Sequence, residues 1–211
     1  MDEILLFDMF GVIARHQSPA GRERLAGTAG VSGDAFWEAY WALRPPYDSG
    51  GVNGPRYWHL VAEALGTRFG PERVTALVEA DIASWSAVDA EMVDLIGELA
   101  AAGRRIALLS NIPEELAVHY ERHHPWLSHF EALGLSCRIG HAKPAAGAYA
   151  WCLRALDAAP GRILFVDDRQ ENVDAALALG MRGHRFTSPA ALRRVLGPAS
   201  GGSVAGPGTV R

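Results

Sequence analysis

Ile4-Leu5-Leu6-Phe7-Asp8-Met9-Phe10-Gly11-Val12 decides how the rest of the chain is read. Four apolar residues without polar alternation run into a carboxylate, the pattern of a strand buried on both faces, as in a parallel sheet. Two further runs share this form. Arg105-Ile106-Ala107-Leu108-Leu109 stops at Ser110-Asn111, and Arg162-Ile163-Leu164-Phe165-Val166 stops at Asp167-Asp168. A shorter run, Ala132 to Ser136, lies between them. Helical patterns separate the strands: Ala90 to Ala102 behind an Asp89 N-cap and ahead of Gly103, Pro144 to Ala155, and Glu171 to Leu179 closed by Gly180. Strands alternating with helices imply a parallel α/β sheet, whose ligands bind beyond the carboxyl ends of the strands. That geometry gathers Asp8, Ser110, Asn111, Asp167 and Asp168 around one crevice.

Between the first strand and the others the pattern changes. Helical stretches follow one another over Pro19 to Ala29, Gly33 to Leu43, Pro55 to Leu65 and Pro71 to Ala83, with Pro45 to Gly51 expected as a turn among them. The expected organisation is therefore a three-layer, Rossmann-like α/β core over residues 1–14 and 87–196, with a small helical cap domain inserted over 15–86. A Gly- and Ser-rich tail over 197–211 is expected to be flexible.

Composition narrows the function. Of 211 residues, 49% are hydrophobic and 21% charged, which is globular usage and excludes wholesale disorder. The formal net charge of -4 offers no field to attract a polyphosphate backbone, so no nucleic-acid partner is expected. No apolar run reaches the roughly 20 residues of a membrane span, and the acidic start Met1-Asp2-Glu3 is unlike a secretory signal, so a cytoplasmic protein is the expectation. Two cysteines are too few for a disulfide framework. Among 20 cationic residues only Lys143 is a lysine. Codon preference explains the arginines but not the one exception; a site that must fit a compact ammonium against an oxyanion would keep it.

Four segments, in order and spacing, resemble the haloacid dehalogenase superfamily, in particular its phosphatases with a helical C1-type cap. They are Phe7-Asp8-Met9-Phe10-Gly11-Val12, Ser110-Asn111, Gly140-His141-Ala142-Lys143-Pro144, and Phe165-Val166-Asp167-Asp168 with Asn172. The resemblance implies a hydrolase that takes phosphate from a small phosphorylated molecule with the help of Mg2+. Asp8 would be the nucleophile and form an aspartyl-phosphate. Asp8, the backbone carbonyl of Phe10 and Asp168 would bind the metal, with Asp167 in its outer shell and Asn172 orienting the carboxylates. Ser110 and the amide of Asn111 would donate to the phosphoryl oxygens, and Lys143 would bridge Asp8 and the phosphoryl group.

One position departs from the pattern. The phosphatases of this superfamily carry a second aspartate two residues after the nucleophile, as acid and base; here Phe10 stands there. Its carbonyl still serves a metal, but its ring moves no proton, and such help is worth about 10²–10⁴ in rate. Three readings follow: a phosphatase for good leaving groups or one that borrows a proton carrier such as His16; a 2-haloacid dehalogenase, which also has an aromatic residue there; or a weakly active phosphate-binding protein. The pair Asp167-Asp168 argues against the dehalogenase, whose anionic substrate and product it would repel. The substrate falls to the inserted helices, where Trp37, Tyr40, Trp41, Tyr47, Tyr57 and Trp58 are expected to be mostly core, a few lining the crevice. A sugar phosphate is one candidate substrate. The oligomeric state is not legible in the sequence.

Overall fold

The structure is a computed structural model that describes residues 3–31 and 33–197. It opens with β1 (Ile4–Phe7), and the first five of the six helices before the next strand are α1 (Pro19–Ala29), α2 (Asp34–Ala42), α3 (Arg44–Asp48), α4 (Gly54–Ala64) and α5 (Pro71–Trp85). The remainder is α6 (Ala90–Ala101), β2 (Arg105–Ser110), α7 (Glu114–His123), β3 (Leu133–Leu135), α8 (Ser136–Ile139), α9 (Ala146–Ala155), β4 (Ile163–Asp167), α10 (Gln170–Ala178), β5 (Arg182–Arg185) and α11 (Pro189–Leu196). The strands form one parallel sheet in the order β3-β2-β1-β4-β5. The chain builds from β1 through β2 to β3 on one side and then crosses back to β4 and β5 on the other, so the strand order reverses at β1 and opens a crevice at its carboxyl end.

Side chains alternate across β1. Leu5 and Phe7 join the cluster that includes Ile96 and Leu116, while Ile4 and Leu6 join Tyr149 and Cys152 on the opposite face. A strand covered on both sides has no polar face, hence its unbroken apolar run. The helices α1 to α5 build a core of their own around Leu25, Phe36, Tyr40, Tyr57, Trp58 and Leu77. The chain enters and leaves this unit side by side: Arg15 N–H donates to Ala87 O at 2.8 Å, and Asp89 N–H to Ile13 O at 2.9 Å.

The structure departs from the sequence reading in a few places. The Pro45–Gly51 stretch is not simply a turn, because Arg44–Asp48 forms a short helix; prolines are tolerated in a first helical turn, where no intrahelical N–H is needed. Helix α9 starts at Ala146 rather than Pro144. Helices α7 and α11 and strand β5 have no counterpart among the expected elements. The last is an edge strand of Arg, Gly, His and Arg, without the apolar run that marks the central strands. Of the expected tail, 198–211 lies outside the described residues. No helix among the described residues is long and apolar enough to cross a membrane.

The helical unit is pinned by an ionic group in its interior. Arg44 donates from Nε to Asp48 at 2.8 Å, and from Nη1 to Asp81 at 2.9 Å and to the Tyr40 hydroxyl at 2.5 Å. Asp81 also accepts from the Tyr40 hydroxyl at 2.7 Å, and the Trp85 indole donates to that hydroxyl at 3.0 Å. Arg44 and Asp81 are both buried. Replacing Asp81 by Ala leaves the guanidinium short of a counter-charge away from water. Denaturant titration is expected to register a loss of about 3 kcal/mol.

Candidate active site

Every long strand delivers its chemical residues to the same edge. Asp8 follows β1 directly and is fixed by its own backbone, Asp8 N–H donating to Val166 O at 2.8 Å across to β4. Ser110 and Asp167 end β2 and β4, and Asp168 follows Asp167. Lys143 sits in the loop between α8 and α9, and Asn111 pins it there. The Asn111 side chain accepts from Lys143 N–H and donates to Lys143 C=O, both at 2.8 Å.

The centre of the site is an ammonium between carboxylates. Lys143 Nζ lies 2.6 Å from Asp8 Oδ1 and 2.8 Å from Asp167 Oδ2, and all three groups are buried. Asp167 is saturated: besides Lys143 it accepts from Asn172 Nδ2 at 3.1 and 3.0 Å and from Arg169 N–H at 2.8 Å. Asp8 Oδ1 also accepts from Met9 N–H at 2.6 Å. Asp168 Oδ2 meets His16 Nε2 at 3.0 Å, whereas its Oδ1 is buried without a partner. Ser110 Oγ is likewise buried and unpartnered.

The electrostatics follow from this crowding. Burial pushes the Asp8 carboxyl up to about 7; the Lys143 ammonium opposes that shift, and Asp167 reinforces it. Burial works against the charge on Lys143, but Asp8 and Asp167 outweigh it and hold the ammonium above its ordinary range. The hydrogen bond to Asp168 raises His16.

Asp8, Asp167 and Asp168 each bring an oxygen within 4.8 Å of the others. An all-oxygen carboxylate set with one buried, unbonded oxygen fits a hard divalent cation such as Mg2+. The Phe10 carbonyl accepts none of the backbone bonds of the tight turn over residues 9–14; three converge on Met9 O, and Gly11 N–H donates to Ala14 O. Gly11 completes this turn with φ +87°, and a Cβ there would stand 2.5 Å from Asp168 Cγ and 2.7 Å from His16 Nε2. Only glycine lets that pair close over the turn.

A cavity of about 490 Å³ opens over these groups. Asp8, Asn111, Lys143, Asp168, Arg169 and Asn172 line its sheet side, and Gln17, Arg22, Trp41, Arg44 and Asp48 its helical side. Phe10, His16 and Trp85 line it as well. The Phe10 ring stands edge-on to Trp85 and Tyr120, with centroids 5.2 and 5.8 Å away. Of the six aromatic residues singled out in the sequence, Trp41 lines the cavity, and Tyr40, Tyr47, Tyr57 and Trp58 are buried in the helical core. The sequence reading missed Gln17, Arg22, Asp48, Trp85 and Arg169 as cavity residues, because no local pattern marks which face of a helix a distant sheet will meet.

A parallel sheet with an acidic, lysine-containing crevice at its central strand is the architecture of an α/β enzyme. The chain belongs to the haloacid dehalogenase-like hydrolase family, whose model matches residues 3–180. A sesquiterpene phosphatase of Aspergillus oryzae is 34% identical over 114 residues, 52% of this chain and 58% of that protein. The match thus spans little more than half the length of that relative. Among solved structures, a HAD-like family hydrolase from Porphyromonas gingivalis superposes with TM-score 0.75 at 23% identity, over 93% of this chain and 98% of the other. A HAD family enzyme from Bacteroides thetaiotaomicron, in complex with magnesium and inorganic phosphate, gives 0.73 at 17% identity over 89% and 95%. The L-2-haloacid dehalogenase from Xanthobacter autotrophicus with chloropropionic acid covalently bound gives 0.64 at 17% identity over 93% and 83%. These structural likenesses establish the fold.

The charge crowding predicts how pH and metal act on stability. A carboxyl whose folded-state pKa is raised contributes stability that is complete below its unfolded value of 3.8 and is lost as pH climbs through about 7. Raised His16 acts in the same direction. The metal-free protein is therefore expected to melt at a lower temperature near pH 8 than near pH 5 in this respect, while added Mg2+, which needs ionised ligands, raises the midpoint more at the higher pH. Differential scanning fluorimetry with EDTA or MgCl2 at the two pH values checks this.

Proposed function

We propose that this hydrolase cleaves a small phosphomonoester by passing the phosphoryl group to Asp8 and then to water. The observation that carries the reading is the Lys143 ammonium held 2.6 Å from Asp8 and 2.8 Å from Asp167, beside Asp168. Both hydrogen bonds to Asp8 fall on Oδ1, which leaves Oδ2 to attack phosphorus. As that bond forms, the bond from phosphorus to the organic oxygen breaks, and the departing oxygen takes up a proton. Water then attacks the phosphorus of the aspartyl-phosphate, returning the carboxylate and releasing inorganic phosphate.

The other residues serve this sequence by position. Lys143 neutralises the phosphoryl oxygens as they approach Asp8. Ser110, with its unpartnered hydroxyl, and the amide of Asn111 donate to the same oxygens. Asn172 and the Arg169 N–H keep Asp167 turned toward Lys143. Asp8, Asp168 and the Phe10 carbonyl would hold Mg2+, with Asp167 behind them; the bound ion would offset the charge of two anions brought together. Phe10 carries no proton, so His16, on the cavity wall and held by Asp168, supplies one to the leaving oxygen. The helical unit over 15–86 acts as the cap, hinged where Ile13 to Arg15 runs beside Ala87 to Asp89.

The sesquiterpene phosphatase relative supports phosphate removal, and the magnesium and phosphate complex of the Bacteroides enzyme supports the ion. The dehalogenase alternative is disfavoured by Asp167 and Asp168, which crowd a second and third carboxylate against the nucleophile.

Two substitutions test the assignment. Asp8→Asn is expected to lower Mg2+-dependent phosphate release from p-nitrophenyl phosphate by more than about 10³-fold. Release of chloride from 2-chloropropionate without metal, and no phosphate from any ester, would replace this reading with the dehalogenase. His16→Gln is expected to slow alkyl phosphates by about 10²-fold or more while leaving acetyl phosphate, whose leaving group needs no proton, nearly untouched. Equal slowing of both would remove His16 from the proton path.

A further inference from the structure

The cavity has a second charged residue group, at its cap end, that the chemistry at Asp8 does not use. Arg44 lines the cavity although it is only 6% exposed. Its Nε is taken by Asp48 and its Nη1 by Asp81 and Tyr40; none of these bonds uses Nη2, and the Tyr57 hydroxyl is a further hydrogen-bonding neighbour of the guanidinium. The guanidinium is held in place on several sides: its carbon lies 5.1 Å from the Tyr40 ring centroid, 5.2 Å from Tyr47 and 6.0 Å from Trp85. Two carboxylates face one cation here, so the group as a whole presents hydrogen-bond donors without net positive charge. A donor of that kind favours a neutral oxygen over an anion, since an anion would meet Asp48, itself on the cavity wall. Trp85, whose ring lies 6.0 Å from the Arg44 guanidinium carbon, stands edge-on to Phe10 and Trp41 with centroids 5.2 and 6.1 Å away, and all three residues line the cavity. Trp41 is 47% exposed, a large apolar surface left uncovered beside the cavity.

We propose that Arg44 is a specificity-determining residue that reads an uncharged oxygen (hydroxyl, ether or carbonyl) at the far end of a substrate whose apolar body lies on Phe10, Trp41 and Trp85, and that Asp48 and Asp81 exclude a second anionic group there. This rests on the phosphatase reading above. Arg22, the other cap arginine on the cavity, is exposed and lies 4.4 Å over the Trp37 ring, so solvent screens its charge.

The test uses the full chain with Mg2+ and monophosphates of α,ω-alkanediols of increasing length. Each is compared with the matching ω-carboxyalkyl phosphate, the bisphosphate and the unsubstituted alkyl phosphate. At the best length, kcat/KM for the hydroxyl-tailed ester is expected to exceed that of the carboxylate-tailed ester and of the bisphosphate by at least about tenfold. The plain alkyl ester is expected to fall between them. Asp48→Asn, which keeps an acceptor for Arg44 Nε and removes a charge, should narrow the gap between hydroxyl and carboxylate several-fold. Arg44→Lys should raise KM for the hydroxyl-tailed ester more than it lowers kcat. Equal turnover of all tails overturns the proposal while leaving the phosphatase intact. Preference for an anionic tail overturns it too, and hands the role to Arg22. No phosphate from any ester, including acetyl phosphate, brings down the phosphatase reading and this proposal together.

Discussion

A single buried ammonium between two carboxylates is the constraint around which the sheet edge is arranged. Burying Lys143 costs free energy unless its charge is met at close range, and Asp8 and Asp167 meet it at 2.6 and 2.8 Å. Those two residues follow or end neighbouring strands of the sheet, which sets their separation. The ammonium must then arrive from elsewhere, and Asn111 fixes its loop through two backbone hydrogen bonds. Arginine would not serve: a broad planar fork does not fit where a point charge lies between two oxygens. The one lysine among 20 cations is explained by this contact.

The same cavity joins two ionic groups. At the sheet, carboxylates outnumber the cation, and Asp168 keeps an oxygen unbonded in the interior, as a site for a divalent ion requires. In the helical unit, Asp48, Asp81 and Tyr40 hold Arg44 through Nε and Nη1, at the cavity wall. Phe10 lines the same cavity, its ring edge-on to Trp85 and Tyr120. The Phe10 ring is thus engaged in packing, and the histidine on the cavity wall, His16, comes from the segment just ahead of α1.

The turn beside Phe10 sets the position of Asp168 and His16. With Gly11 at φ +87°, the backbone passes so close to Asp168 and His16 that any Cβ would collide with both. The turn therefore fixes the distance between strand end and histidine, and the histidine in turn holds one oxygen of Asp168 while leaving the other.

The central strands and the residues that end them were legible in the sequence, because a strand buried on two faces must be apolar throughout and a catalytic crevice must lie where it stops. Asp8, Asp167, Asp168, Lys143 and Asn172 come together as those runs and motifs implied. Edge strand β5, the short helix at Arg44–Asp48 and the contacts of Arg44 were not legible, since none carries a local periodicity that differs from ordinary surface. Asn111 was read for its amide, yet its side chain is spent on Lys143, a partner 32 residues away. Chain-local pattern, then, determined which residues are buried in strands and which chemistry ends them. Tertiary packing alone decided which helical side chains face the crevice and how each charge is balanced, because burial and pairing are properties of groups brought together from distant parts of the chain.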